Sequence, residues 1–199
     1  MRFDFLKIGI IGGTFNPVHF GHLINAQVVM EDYGLEKVLF VPSKKPVHKD
    51  IDDPVSSDDR CRMVEIAIEG NPGLALSRAE VDRDTPSYTI VTVENMLKTN
   101  PEWELHLIIG YDSFLELNTW KDYSRLIGLV PVIVMNRPVA ERGVSMPYRG
   151  YRNLEFSKNP MIEISSTWIR ERISLDRTVR YFLPDGVIEY IMERGLYKS

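Results

Sequence analysis

At 199 residues the chain is long enough for one domain with a full core, and the whole of 1–199 is expected to form it. With 28 acidic against 24 basic residues and a formal charge of −4 it lacks the basic surface that bulk nucleic-acid binding needs, so no nucleic-acid partner is expected. Its single cysteine excludes an internal disulfide, no apolar run reaches membrane-spanning length, and residues 1–5 lack a charged-then-apolar leader pattern, which together predict a cytoplasmic protein without a membrane partner.

The apolar stretch 7–11 predicts a buried strand that ends in a glycine turn and feeds a helix over 22–33. A second strand is predicted at 37–41, followed by a helix capped by Asp58 or Asp59 and running to Glu69. A short strand at 74–77 precedes a helix at 87–98, whose stripe is Ile90, Val93, Met96 and Leu97. The apolar, β-rich runs 104–109 and 129–135 suit strands covered on both faces. A last short strand is predicted at 161–164, then helices at 166–173 and 185–194. Strand and helix alternate, which implies a Rossmann-like α/β fold: a parallel sheet with right-handed crossovers and helices on both faces. The helical portion from about Ser166 onward is expected to pack over the sheet edge. Residues 42–57, rich in Lys, Pro and Asp, and residues 137–160, without periodicity, read as loops.

The chemistry concentrates at the first strand–helix junction, Gly12-Gly13-Thr14-Phe15-Asn16-Pro17-Val18-His19-Phe20-Gly21-His22. A glycine turn at a helix N-terminus offers unpaired N–H groups and a positive dipole end, which favour a phosphate. His19 and His22, three residues apart, add side-chain donors on one side. The glycines do not have dinucleotide-fingerprint spacing, and no Gly-Lys-Ser/Thr of a P-loop occurs. Two histidines without further ligands do not make a zinc site, and Cys61 lies in an unrelated helix, so no protein metal site is expected. A second strand-to-helix junction, Ile164-Ser165-Ser166-Thr167-Trp168-Ile169-Arg170, offers another hydroxyl-rich anion nest with Arg170 one turn in; an ordinary N-cap is the alternative. Trp120 offers a flat face for an aromatic ring or packs at the core edge. Asp112, after the strand ending at Gly110, either accepts a ribose hydroxyl or caps the next helix.

GGTFNPVHFGH resembles the (H/T)xGH signature of the nucleotidylyltransferase superfamily, and specifically that of the bacterial nicotinate-mononucleotide adenylyltransferases. The resemblance extends in order through Val41-Pro42-Ser43 to Lys49, Pro86-Ser87-Tyr88-Thr89, Ile108-Ile109-Gly110-Tyr111-Asp112-Ser113, Asn118-Thr119-Trp120, the ISSTxIR pattern at 164–170 and Val179-Arg180-Tyr181-Phe182-Leu183-Pro184. It implies adenylyl transfer from ATP to nicotinate mononucleotide, giving deamido-NAD and pyrophosphate without a covalent enzyme intermediate. His19, His22 and Arg170 are then catalytic. Gly12, Gly13, Thr14, Phe15, Lys49, Gly110, Asp112, Ser166 and Thr167 hold ATP, and Asn16, Lys45, His48, Tyr88, Thr89 and Trp120 hold the mononucleotide. Mg2+ is expected as a cofactor carried mainly by the ATP phosphates. Three positions depart from the family pattern. Asn16 stands where Asp is frequent, Tyr111 is bulky and would narrow the adenosine pocket, and Asn118 replaces a common Pro. Adenylyl transfer to another acceptor (nicotinamide mononucleotide or phosphopantetheine) and a silent nucleotide sensor stay open as alternatives. A class I aminoacyl-tRNA synthetase is excluded by length and by the absence of a KMSKS-like segment.

Overall fold

The computed structural model describes residues 5–44, 55–135 and 153–198. Six parallel strands form one sheet in the order β3-β2-β1-β4-β5-β6. They are β1 (Leu6–Gly13), β2 (Lys37–Pro42), β3 (Leu74–Leu76), β4 (Trp103–Gly110), β5 (Val132–Met135) and β6 (Leu154–Phe156). Between them lie α1 (Phe20–Asp32), α2 (Ser57–Ile68), α3 (Thr89–Thr99), α4 (Tyr111–Leu115), a 3-10 turn (Leu117–Thr119) and α5 (Tyr123–Leu129), and α6 (Ser166–Ser174) and α7 (Asp185–Glu193) close the chain. This is the Rossmann-like α/β arrangement. The strand order reverses between β1 and β4, and a crevice opens there past the carboxyl ends of the strands.

Alternate residues of each strand feed two separate cores, as the two-residue period of a strand demands. Ile11, Val38, Phe40, Ile108 and Ile133 point to one face, under α1, α2, α6 and α7. Ile10, Leu39, Leu107, Ile109, Val132 and Val134 point to the other, under α3, α4 and α5. At Gly9 the central strand touches the first layer so closely that a Cβ would stand 2.8 Å from Ile108 Cδ1 and Leu35 Cδ1.

Several expectations are corrected. The sixth strand is Leu154–Phe156, inside the segment read as loop, and 161–164 is not a strand. Pro160 precedes that segment and removes a ladder donor, while Ile162 and Ile164 border the crevice instead. The run 129–135 divides: Leu129 ends α5, Pro131 breaks the helix, and only Val132–Met135 is strand. The α2 cap is Ser56, whose hydroxyl accepts the Asp59 N–H at 3.0 Å; Asp58 and Asp59 occupy the first turn. α6 and α7 do not cover the sheet edge but bury Ile169, Ile173, Val187 and Ile191 in the same cluster as α1 and α2.

Candidate active site

β1 ends at Gly13, and the chain turns before α1 begins at Phe20 with His19 as its N-cap. Phe15 makes that turn with a φ of 50°, in the left-handed region, and its ring folds back so that a Cβ on Gly13 would lie 3.1 Å from it. The buried Phe15 ring packs on Phe40, with centroids 5.4 Å apart, and meets His22 edge-on at 5.1 Å. Phe15 thereby fixes one side of His22, and His19 fixes the other. The two imidazoles stack at 3.7 Å between centroids and 26° between planes. Gly21 makes room for the stack, since a Cβ there would stand 3.0 Å from His19 Nδ1.

The His19 backbone N–H donates to His22 Nδ1 at 3.3 Å, which leaves the His22 proton on Nε2. Burial lowers the His19 pKa to about 4. Burial, then the neighbouring His19, lowers His22 well below the usual histidine value. Both rings are therefore neutral at pH 7, each with one N–H to offer, and an approaching anion favours their charged form.

The second junction is tied to the first. Ser165 caps α6 by accepting the Trp168 N–H at 3.2 Å. Ser166 Oγ donates to the Pro17 carbonyl at 2.8 Å. Arg170 Nη1 donates to the Asn16 carbonyl at 2.8 Å, and its Nη2 to Thr167 Oγ1 at 3.2 Å. The α6 start thus holds the Asn16–Pro17 dipeptide that leads into α1. Two residues outside the sequence motifs complete the brace. Buried Arg60 donates to the carbonyls of Thr14 and Ser43, both at 2.7 Å, and joins the turns after β1 and β2. The Tyr197 hydroxyl, near the C-terminus, donates to the side-chain oxygen of buried Asn16.

The two junctions border one cleft of about 1640 Å³ at the switch point. Gly12, Gly13, Thr14, Phe15, Asn16, His19 and His22 line one stretch of it, and Ser166, Thr167 and Arg170 another. Gly110, Asp112, Tyr88, Thr89 and Trp120 line the remainder. A Cβ at Gly12 or Gly110 would meet no protein atom within 4 Å, so backbone at both strand ends is bare to the cleft. Gly110 is the N-cap of α4; Asp112 lies in the first turn with its residue exposed, and makes no cap hydrogen bond. Tyr88 caps α3, and its turn is moored to β2 by Ser87 Oγ, which accepts the Lys44 N–H at 3.1 Å. Half-buried Trp120 packs on the second core while bordering the cleft. Tyr111 does not narrow the cleft. It is buried against Phe114 at 5.8 Å between ring centroids. Asn118 sits in the 3-10 turn that delivers Trp120. Lys45, His48 and Lys49 lie outside the described residues.

The fold and its cleft define a nucleotidyltransferase of the Rossmann-like class, and the family profile described as Cytidylyltransferase-like matches residues 10–172. The probable nicotinate-nucleotide adenylyltransferase of Moorella thermoacetica is 39% identical, over 96% of this chain and 92% of that protein. The nicotinate-nucleotide adenylyltransferase of Bacillus subtilis (strain 168) is also 39% identical, over 97% of this chain and 99% of its own. In fold, the Plasmodium falciparum nicotinic acid mononucleotide adenylyltransferase complexed with NaAD matches with a TM-score of 0.75 at 17% identity, covering 96% of this chain and 97% of that one. The chain belongs to the nicotinate-nucleotide adenylyltransferases, within the cytidylyltransferase-like family.

Proposed function

We propose that this chain transfers the adenylyl group of ATP to nicotinate mononucleotide, forming deamido-NAD and pyrophosphate. The observation that carries the reading is the stacked, neutral His19–His22 pair together with the Ser166–Thr167–Arg170 helix start, which is anchored on the Asn16–Pro17 dipeptide just before the pair. Such a set of preorganised donors suits a polyphosphate whose charge shifts during reaction.

A phosphate oxygen of the mononucleotide attacks the α-phosphorus of ATP in line. The new P–O bond forms as the bond to the α,β-bridging oxygen breaks, and that oxygen leaves with the electron pair as pyrophosphate. No protein nucleophile takes part. Cys61, the one thiol, is buried in α2, and burial pushes its pKa up. The work left to the protein is positioning and charge neutralisation. His22 Nε2–H and the His19 ring donate to the phosphate oxygens, and His22 strengthens its bond as charge builds in the transition state. Gly12, Gly13, Thr14 and Phe15 offer backbone around the phosphates. Ser166, Thr167 and the remaining N–H groups of Arg170 hold the leaving pyrophosphate.

On the acceptor side Trp120 stacks on the pyridine ring, while Tyr88 and Thr89 receive its carboxylate. Asn16, steadied by Tyr197, serves the mononucleotide. Gly110 gives the adenosine close access to backbone, and Asp112 accepts a ribose hydroxyl. Lys45 and His48 for the mononucleotide, and Lys49 for the phosphates, enter this reading on sequence grounds alone. Among the described residues no three His, Cys, Asp or Glu side chains converge as metal ligands. A Mg2+ brought by ATP would be carried mainly by phosphate oxygens and water, and would supply neutralisation of phosphate charge beside Arg170. No helix among the described residues is long and apolar enough to cross a membrane. With ATP as donor, the reaction belongs in the cytoplasm.

The test is pyrophosphate release from Mg·ATP with nicotinate mononucleotide, nicotinamide mononucleotide and phosphopantetheine in parallel. Release chiefly with the nicotinate form is expected. Preference for another acceptor would overturn the substrate, and silence with all three would overturn catalysis in favour of nucleotide sensing.

A further inference from the structure

Lys121 follows Trp120 and borders the same cleft. Its ammonium stands 4.5 Å from the centroid of the Tyr88 ring, within cation–π range. That ring is its one polar engagement among the described residues, and neither Asp112 nor Glu116, the acidic side chains nearby in the cleft lining, is paired with it. Lys44 offers the contrast, its Nζ already 2.9 Å from Asp84 and 3.1 Å from the Arg83 carbonyl. Lys121 is thus an ammonium held in place by an aromatic face without being neutralised. Tyr88 immediately precedes Thr89, and Trp120 immediately precedes Lys121, so the charge lies beside the residues to which the proposed function gives the pyridine ring and its substituent.

We propose that Lys121 reads the carboxylate of the pyridine ring and makes this chain select the acid over the amide, an inference that rests on the acceptor proposed above. Neutral donors such as the Thr89 hydroxyl serve a carboxylate oxygen and an amide oxygen alike. A fixed ammonium separates the two. It attracts the carboxylate by charge, and it meets the amide NH2 as donor against donor, a mismatch that lowers affinity for the wrong substrate. Preorientation on Tyr88 limits the side-chain entropy lost when the acid binds.

The experiment compares wild type, Lys121→Met and Lys121→Arg in steady-state pyrophosphate release with Mg·ATP, using nicotinate mononucleotide and its amide counterpart. The Lys121 residue is exposed, so neither substitution disturbs the core. For Lys121→Met, kcat/KM with the acid should fall about two- to fivefold, the size expected for one exposed charge pair. Its KM for ATP and its kcat/KM with the amide should hold, so the acid-to-amide ratio falls by the same factor. Lys121→Arg should retain most of the ratio. An equal fall with both acceptors would place Lys121 on their common phosphate or ribose and overturn the inference, as would an unchanged ratio. A wild type that does not turn over nicotinate mononucleotide would instead overturn the reading underneath it, before any variant is compared.

Discussion

Gly21→Ala separates the placement of the histidine pair from the stability of the fold. Gly21 is the second residue of α1 and has no left-handed φ, so alanine is conformationally permitted and favours the helix by up to about 1 kcal/mol. Its Cβ, however, would stand 3.0 Å from His19 Nδ1, 3.1 Å from His19 Cε1 and 3.5 Å from Ile162 Cγ2. Overpacking of this kind costs about 1–3 kcal/mol, so the net loss of stability is about 0–3 kcal/mol. The His19 ring must yield by a few tenths of an ångström, and it carries the 3.7 Å stack on His22 with it. A misplacement of about 1 Å costs roughly 100-fold in rate, so this smaller shift should lower kcat roughly tenfold. The assay is pyrophosphate release alongside urea denaturation, with Gly128→Ala as the control. Gly128 lies in α5, and a Cβ there meets nothing within 4 Å, so its kcat should match wild type. A Gly21→Ala enzyme with wild-type kcat would refute the claim that Gly21 sets the imidazole stack.

Three further outcomes follow from the same geometry. On the proposed role of His22 as a donor to developing charge, His22→Ala should lower kcat by a factor of about 10²–10³, or about 2.7–4 kcal/mol, while circular dichroism stays that of the folded protein; retained kcat would take His22 out of the mechanism. Arg60→Met strips the Thr14 and Ser43 carbonyls of a charged donor held at 2.7 Å from each, and should cost about 3 kcal/mol in urea denaturation and raise the KM for ATP. Wild-type stability in that variant would show that Arg60 does not tie the two turns. For pH, the His19 pKa of about 4 lies below its unfolded value of 6.5, so the unfolded chain takes up the extra proton first as pH falls. Stability from this group is full above pH 6.5 and drains toward pH 4, by on the order of 3 kcal/mol. Denaturation at stepped pH should show a shallower slope in His19→Gln than in wild type, with the buried His22 supplying what remains; an identical slope in both would move the effect elsewhere.

The strands of the two cores were legible because each carries its own evidence: β1, β2 and β4 are apolar runs ended by glycine or proline, read within a residue or two of their bounds. The failures have local causes. Leu154-Glu155-Phe156 is three residues long, too short for a period to register, and becomes a strand because β5 offers an open edge. Met161 to Ile164 has the apolar content of a strand but finds no partner strand. Residues after Gly110 form α4, the 3-10 turn and α5 from Phe114, Leu117, Leu126 and Ile127, a buried set spread over three short elements rather than one stripe.

The candidate site divides along the same line. Its donors were legible because they are sequence neighbours: a glycine turn, two histidines and a hydroxyl-rich helix start each state their chemistry within a few residues. What holds those donors together was not, because those contacts cross the chain. Arg60 reaches Thr14 from 46 residues away, Arg170 reaches Asn16 from 154, and Tyr197 reaches the Asn16 side chain from 181. Arg60 leaves one trace in the sequence, a guanidinium on a helix face otherwise bearing Cys61, Met63 and Val64, where a buried charge must have found partners. Tyr197 leaves none. Asn16 is therefore the informative position: its carbonyl accepts from Arg170, its side chain from Tyr197, and both residues come from the last thirty of the chain. The geometry of the glycine turn after β1 is completed only when α6 and the C-terminal residues have packed, so truncation or loosening of that end should disturb a candidate site whose first motif lies wholly at the other.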